Sequence, residues 1–110
     1  MIVVKRGASI EGCRAEILRA LISVESLFAK HNVDTVVTSG SEIYKHSADR
    51  SAHYRGDAID LRIKHIPKVF RKALVKAIKR KLGADFVVLW EGVGKPYEHI
   101  HMHWSPRYEG

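Results

Sequence analysis

Within residues 97–104, which we expect to form a strand, polar and apolar side chains alternate from position 99 to 104, and no other feature of the chain limits its possible structure as strongly. Histidines stand at positions 99, 101 and 103, with apolar residues between them and after the last one. Successive side chains of a β-strand point to opposite faces, so His99, His101 and His103 should project together from one face. The pattern therefore predicts a strand that lies between a hydrophobic core and an open, histidine-bearing surface.

Apolar residues recur at three- and four-residue steps in two other parts of the chain. This spacing predicts amphipathic helices over 10–30 and 66–82. Ser9 is a candidate N-cap for the first helix, and Gly83 is expected to end the second. The side chains expected to face inward from the second helix are Val69, Phe70, Ala73, Leu74, Ala77 and Ile78.

Short apolar runs predict the rest of the sheet. We expect strands over 34–38, 58–63 and 85–90, which are rich in β-branched or large apolar residues. In the run 58–63, alternation puts Asp60 on the face opposite the large apolar side chains. The order helix, strand, strand, helix, strand, strand indicates an α+β domain, with a small, mainly antiparallel sheet and two packed helices.

Length and charge narrow the classes of partner. The chain of 110 residues suits one domain, residues 1–110, with a single core. A net charge of +7 favours anionic partners such as nucleic acid, anionic lipid or an acidic cell-wall polymer. The second predicted helix carries many of the cations: Lys68, Arg71, Lys72, Lys76, Lys79, Arg80 and Lys81. These cations form either a solvated face or a surface that binds an anionic polymer.

The sequence also bears on where the protein acts. Its one cysteine, Cys13, has the helical spacing of a buried thiol, and no internal disulfide is possible. The apolar segment at residues 2–4 is too short for a secretory signal, which needs about 7–15 residues, and no run approaches the roughly 20 residues of a membrane span. We therefore expect cytoplasmic synthesis without membrane insertion, and action on an external substrate only after release or from a virion.

Two separated motifs carry groups that bind metal ions. His53 and Asp60 lie in the run 51–60, and the histidine strand follows later. A catalytic zinc usually has three protein ligands and an open position for water, so His53, Asp60 and one histidine of that strand would complete the set. Glu98 would remain as a base beside the metal. His53 and Asp60 would face opposite sides of an unbroken strand, so the backbone must bend between them, and Gly56 supplies the bend.

These residues resemble a known family. The pattern Ser-x-His-x-x-Gly-x-Ala-x-Asp at 51–60, followed by Glu-His-x-His at 98–101, is similar to that of the zinc D-alanyl-D-alanine carboxypeptidases and related peptidoglycan peptidases. Small phage-encoded members look most similar, also in Thr-Ser-Gly at 38–40 and Lys-His-Ser at 45–47. The resemblance covers roughly residues 34–104 and implies the Hedgehog/DD-peptidase fold.

The resemblance also implies roles for individual residues. His53, Asp60 and His101 would be the ligands of a zinc ion, Zn2+. Glu98 would be the catalytic base. His99 would support the metal ligands or stabilise the transition state.

Some positions leave alternatives open. Relatives often carry an acidic residue at the position of His103, which is either a bystander or, in another strand register, the ligand in place of His101. Many relatives carry an arginine just after residues 38–40, where this chain has a serine and Glu42. The candidates for stabilising the oxyanion in its place are Lys45, Arg50 and Arg55. Glu91 and Glu42 are weaker candidates for the base, and either could be a solvated surface carboxylate.

Three functions are compatible with these features. The first is a zinc metallopeptidase that hydrolyses an amide of peptidoglycan stem peptides, as a D-Ala-D-Ala carboxypeptidase or an L-Ala-D-Glu endopeptidase, in phage lysis as an endolysin or in wall remodelling. The basic helix would then hold an anionic cell-wall polymer. The second is a basic nucleic-acid-binding protein or a metal-dependent nuclease. The third keeps the fold and the metal without turnover, as a binding module.

Overall fold

The computed structural model describes residues 1–42, 52–53 and 55–106. Within this part of the chain, five strands and two helices follow one another. Their order is β1 (Ile2–Val4), α1 (Ala15–Ala29), β2 (Thr35–Ser39), β3 (Ala58–Arg62), α2 (Lys68–Leu82), β4 (Phe86–Glu91) and β5 (His99–Trp104). The expected loop over 41–52 lies mostly outside the described residues.

The strands form one sheet in the order β1-β2-β3-β5-β4. Only the β1–β2 pair is parallel among the described strands, and the remaining pairs are antiparallel. The prediction of an α+β domain with two helices and a mainly antiparallel sheet is confirmed, and β1 is an addition to it. In the centre of the sheet, Asp60 of β3 is the register partner of His101 of β5, and Arg62 is the partner of His99.

The two faces of the sheet differ as the alternation predicts. Ile59 and Leu61 of β3, with Ile100 and Met102 of β5, are fully buried in a core that α1 and α2 cover. Burying side chains of this size contributes roughly 1.5–3 kcal/mol each, which fixes the register of both strands. Asp60 therefore stands on the opposite face of the sheet.

Helix α1 begins at Ala15 with Arg14 as its N-cap, so the expected start at residue 10 with a Ser9 cap was wrong. Ser9 is instead bonded to a distant segment. Its backbone N–H donates to Glu42, and its carbonyl accepts from the Ser41 N–H. These bonds hold the residues before α1 in a turn, which local periodicity cannot reveal. The expected helix end is confirmed, because α1 stops at Ala29.

Helix α2 faces the core with a different side from the one expected. Its buried residues are Arg71, Leu74, Val75 and Ile78, whereas Val69 is 81% exposed and Phe70 is 49% exposed. Ala73 is also exposed. The inward placement of these three residues was therefore wrong, and so was the placement of Arg71 on the outer face. The remaining cations of the basic helix, Lys68, Lys72, Lys76, Lys79, Arg80 and Lys81, are exposed.

Helix α2 ends where the sequence predicts. Gly83 is the C-cap of α2 and has a φ of 77°, a conformation that favours glycine, so this prediction is confirmed. Neither helix of the described residues has both the length and the apolar character needed to cross a bilayer.

Candidate metal centre

Three side chains from two parts of the chain converge on the open face of the sheet. His101 Nδ1 lies 2.9 Å from Asp60 Oδ1, and His53 Nε2 lies 3.4 Å from the same oxygen. One potential ligand atom from each of these residues lies within 4.8 Å of the other two. The group of His53, Asp60 and His101 could therefore hold a metal ion.

A glycine turn brings His53 to the strand that carries Asp60. Gly56 has a φ of 75°, and its N–H donates to the His53 carbonyl at 3.0 Å. A Cβ at position 56 would lie 2.2 Å from the Gly12 carbonyl oxygen, so no other residue fits without a backbone shift. The expected bend at Gly56 is confirmed. It brings together His53 and Asp60, which would face opposite sides of an unbroken strand.

The imidazole of His53 is oriented by the backbone. Its Nδ1 lies 2.9 Å from the Gly40 carbonyl oxygen, which suits an Nδ1–H that donates to this oxygen and leaves the Nε2 lone pair facing Asp60. Ligating histidines commonly fix their tautomer through such a bond from the other ring nitrogen. Nε2 is therefore the His53 atom that could bind a metal ion.

Glu42 organises the segment that holds this carbonyl in place. Its carboxylate accepts hydrogen bonds from the backbone N–H of Gly40 at 2.7 Å, from the Ser9 N–H at 2.8 Å and from the Ser39 hydroxyl. Burial raises the pKa of Glu42, but these bonds outweigh it and lower the pKa. Because Glu42 is only 6% exposed, its interpretation as a solvated surface carboxylate was wrong.

Electrostatics at the centre favour a bound cation. Burial raises the pKa of Asp60, but hydrogen bonds from His101 and His53 lower it far below its usual range, so the carboxylate is ionised. Burial lowers the pKa of His53, yet the Asp60 carboxylate raises it overall. The site is thus an anionic oxygen between imidazoles, and a metal cation could replace the protons that these groups share.

His103 supports His101 from the side away from Asp60. His101 Nε2 lies 2.8 Å from His103 Nδ1, and the ring centroids are 5.0 Å apart. Burial, followed by the charges of His101 and Arg55, lowers the pKa of His103, which favours a neutral ring whose Nδ1 accepts a hydrogen bond from His101 Nε2–H. Of the two histidines, His101 is the one that the described structure groups with His53 and Asp60.

Replacing His103 by alanine should weaken metal binding about 10- to 100-fold, because the acceptor that orients His101 is lost. Competition with a chromophoric chelator would measure the dissociation constant, and circular dichroism would verify the fold. His103→Asp offers an acceptor again and should recover most of the affinity. Equal affinities for His103→Ala and the unaltered protein would contradict this role.

His99 lies beside the three candidate ligands at the rim of the site. Its Nε2 is 3.8 Å from Asp60 Oδ2 and 3.1 Å from Glu91 Oε1, and its Nδ1 is 2.7 Å from the Tyr97 carbonyl oxygen. The side chain is 22% exposed, so a substrate could reach it. Glu91, 46% exposed at its side chain, backs this histidine.

Glu98 lies in a different environment from the one expected of a free base. Its carboxylate accepts hydrogen bonds from Arg71 Nη1 at 3.0 Å, from Trp90 Nε1 at 2.8 Å and from the Gly94 N–H at 3.3 Å. Burial raises the pKa of Glu98, but the bonds from Trp90 and Gly94 and the charge of Arg71 lower it overall. Among the described residues, no hydrogen bond or ion pair joins Glu98 to the histidine cluster.

The candidate oxyanion cations are only partly described. Arg55 Nε lies 3.1 Å from Asp57 Oδ2, and the arginine side chain is 60% exposed. Lys45 and Arg50 lie outside the described residues, as does the segment 45–47. Their assignment stays a prediction.

Sequence reasoning missed three contacts in or near this centre. The Gly40 carbonyl behind His53 and the Arg71–Glu98 pair depend on contacts between distant segments, whereas His103 contacts His101, two positions before it on β5. For His103, the shared face of the three histidines was a signal that could have suggested the contact.

Comparisons with models of known protein families, with curated proteins and with solved structures find no match to this chain. The resemblance to zinc peptidoglycan peptidases therefore stays a prediction.

Proposed function

We propose that this chain is a zinc-dependent peptidase that hydrolyses an amide bond in the peptide stems of peptidoglycan. The observation that carries the proposal is the convergence of His53, Asp60 and His101, whose candidate ligand atoms lie within 4.8 Å of one another. Two imidazole nitrogens and one carboxylate oxygen suit zinc, and three protein ligands leave a coordination position for water or substrate. The similarity of the motifs at 51–60 and 98–101 to the peptidase family supports the same conclusion.

The donor set fits the ion in orientation as well as in type. The Gly40 carbonyl fixes the His53 tautomer with Nε2 available, and His103 can do the same for His101 with Nδ1 available. A zinc ion held there would supply Lewis acidity, which activates water and polarises an amide carbonyl. The side chains of Asp60 and His101 are 16% and 14% exposed, so the centre is sheltered without being closed.

His99 is the group best placed to carry a proton during hydrolysis. Its ring lies at the rim of the centre, oriented by the Tyr97 carbonyl and in contact with Glu91. With its Nδ1–H donated to the Tyr97 carbonyl, its Nε2 would exchange the contact with Glu91 for one with the attacking water, take a proton from that water and pass it to the departing amine, as general acid–base catalysis requires. Glu98 is the alternative that the family resemblance implies. Its buried contacts with Arg71, Trp90 and Gly94 favour a structural role instead.

The charge distribution supports a cell-wall substrate. The exposed cations of α2 form a basic surface on the outer side of this helix. Because α2 covers the core face of the sheet, this surface lies away from the face that bears the histidines. Such a surface suits an anionic wall polymer and would hold the protein on its substrate without occupying the centre. A phage lysis enzyme, or endolysin, is the form of this function that the small domain fits best.

Digestion of purified peptidoglycan, with and without chelator, tests the proposal. We expect new amine and carboxylate ends that mass spectrometry assigns to a stem-peptide bond, loss of these products with chelator, and recovery on adding zinc. Absence of any new termini with stoichiometric zinc bound would contradict the peptidase and favour a binding module. Salt-sensitive retention of nucleic acid without wall hydrolysis would favour the nucleic-acid-binding or nuclease alternative.

A further inference from the structure

A cavity of about 380 Å³ opens beside the metal centre. Asp60 and His99 line it, so the cavity shares the histidine face of the sheet with the candidate ligands. Three cationic residues also line it, namely Lys5, Arg62 and Lys64. We call this space the basic cavity, and a substrate bound at the centre would extend into it.

Of the three cations that line the cavity, Arg62 is the closest in sequence to a candidate ligand. It follows Asp60 by two positions on β3, so both side chains leave the same face of the strand, about 6.6 Å apart along it. Its register partner on β5 is His99. Within the described part of the chain, no hydrogen bond or ion pair engages the Arg62 side chain, which is only partly exposed.

The acidic groups that line the basic cavity do not neutralise this arginine. The Asp60 carboxylate faces His53 and His101, and the Glu98 carboxylate is paired with Arg71 at 3.0 Å. Lys64 Nζ donates to the Pro96 carbonyl oxygen at 2.9 Å, which keeps a further positive charge at the cavity. The cavity thus offers an excess of positive charge next to the position where an amide would be cut.

We propose that Arg62 binds a carboxylate that the substrate carries on the amine side of the scissile amide, and that it is a specificity-determining residue of the site. This inference rests on the proposed peptidase function. A guanidinium presents a planar fork of donors that matches a carboxylate, and partial burial strengthens the pair relative to one in bulk water. With the amide carbonyl at the metal centre, an α-carboxylate on the departing residue points along the sheet face into the basic cavity.

The proposal narrows the substrate to amides whose departing nitrogen belongs to a residue with a free α-carboxylate. A terminal D-Ala-D-Ala bond has this carboxylate at the chain end. An L-Ala-D-Glu bond has it as well, because D-Glu continues the stem through its side-chain carboxyl. A cross-bridge amide to a lysine side chain has none beside the departing nitrogen, so it should be a poor substrate.

Matched peptide pairs test the assignment. For each bond, one peptide carries the free carboxylate and its partner carries the carboxamide at the same position: D-Ala-D-Ala against its terminal amide, and L-Ala-D-Glu against the D-isoglutamine form. Binding to the zinc-loaded protein is measured by calorimetry, and cleavage by chromatography. We expect the unaltered protein to prefer the carboxylate member of at least one pair by roughly 10- to 100-fold.

Arg62→Gln should abolish this preference by weakening only the carboxylate peptide, and Arg62→Lys should retain part of it. Arg19→Gln, an exposed arginine of α1, is the matched control and should keep the full preference. Binding selectivity that depends on Arg62 without any cleavage would support the subsite and reject the peptidase. Cleavage with equal rates for both members of each pair would support the peptidase and overturn the subsite. Failure of every peptide to bind would also overturn the subsite.

Discussion

His53→Ala should lose tight zinc binding, with a dissociation constant raised roughly 100- to 1000-fold. Zinc sites in small domains are worth roughly 10–16 kcal/mol over four ligands, which is about 2.5–4 kcal/mol for each ligand. His53 Nε2 and His101 Nδ1 face the same Asp60 oxygen, so removing either imidazole leaves a two-ligand site. We expect the same loss in His101→Ala and in Asp60→Asn. Zinc content after dialysis and competition with a chromophoric chelator would measure the effect.

A histidine outside the centre provides the control. His31 contacts the Phe70 ring, with centroids 5.4 Å apart, on the helical side of the domain. His31→Ala should bind zinc as the unaltered protein does. Because His53 is buried, thermal unfolding and circular dichroism of the metal-free variants would separate lost ligation from lost fold. Unchanged zinc content in both His53→Ala and His101→Ala would refute the ligand assignment.

The central strands could be predicted because their sequence periodicity and their burial carry the same information. Ile59 and Leu61 face the core, so Asp60 must face away from it, and the same logic places His101 opposite Ile100 and Met102. The antiparallel register then sets Asp60 beside His101. Local alternation was therefore sufficient to bring two of the three candidate ligands to one surface.

The errors in the helices arise from contacts between distant segments. Ser9 could cap a helix by its residue type, but its backbone is bonded to Glu42 and Ser41, so α1 begins later. A charged residue such as Arg71 is usually exposed to solvent. Arg71 nevertheless faces inward, because Glu98 and the carbonyls of Ile66 and Lys64 accept its hydrogen bonds. This rotation exposes Val69 and Phe70.

The short strand β1 gave no usable pattern. Ile2–Val4 is too brief to show a period, and its pairing with β2 is set by residues that come some thirty positions later in the chain. The Gly40 carbonyl that orients His53 could not be predicted from the sequence either. Every residue has a backbone carbonyl, and only the fold determines which one lies beside His53. Residue types therefore point to the candidate ligands, but not to the backbone groups that orient them.

If His99 carries the proton and Glu98 holds the fold, substitutions at the two positions should have different effects. His99→Ala should keep zinc and fold while kcat/KM for a stem peptide falls about 100- to 10,000-fold, the usual contribution of a positioned acid or base. Glu98→Gln should instead lower the free energy of unfolding by about 3 kcal/mol, because Arg71, 8% exposed, loses the partner of its buried charge. Urea unfolding and steady-state kinetics on zinc-loaded protein would measure both.

A double variant separates the structural role of Glu98 from a chemical one. Arg71→Met combined with Glu98→Gln removes both charges of the pair, so its loss of stability should be smaller than the sum of the two single losses. If Glu98 only holds the fold, activity should persist in whichever of these variants stays folded and zinc-loaded. A loss of stability alone leaves the folded fraction of the protein active. A folded, zinc-loaded Glu98→Gln protein that is less active than His99→Ala would therefore reverse the assignment. Glu98 would then be the base that the family resemblance implies.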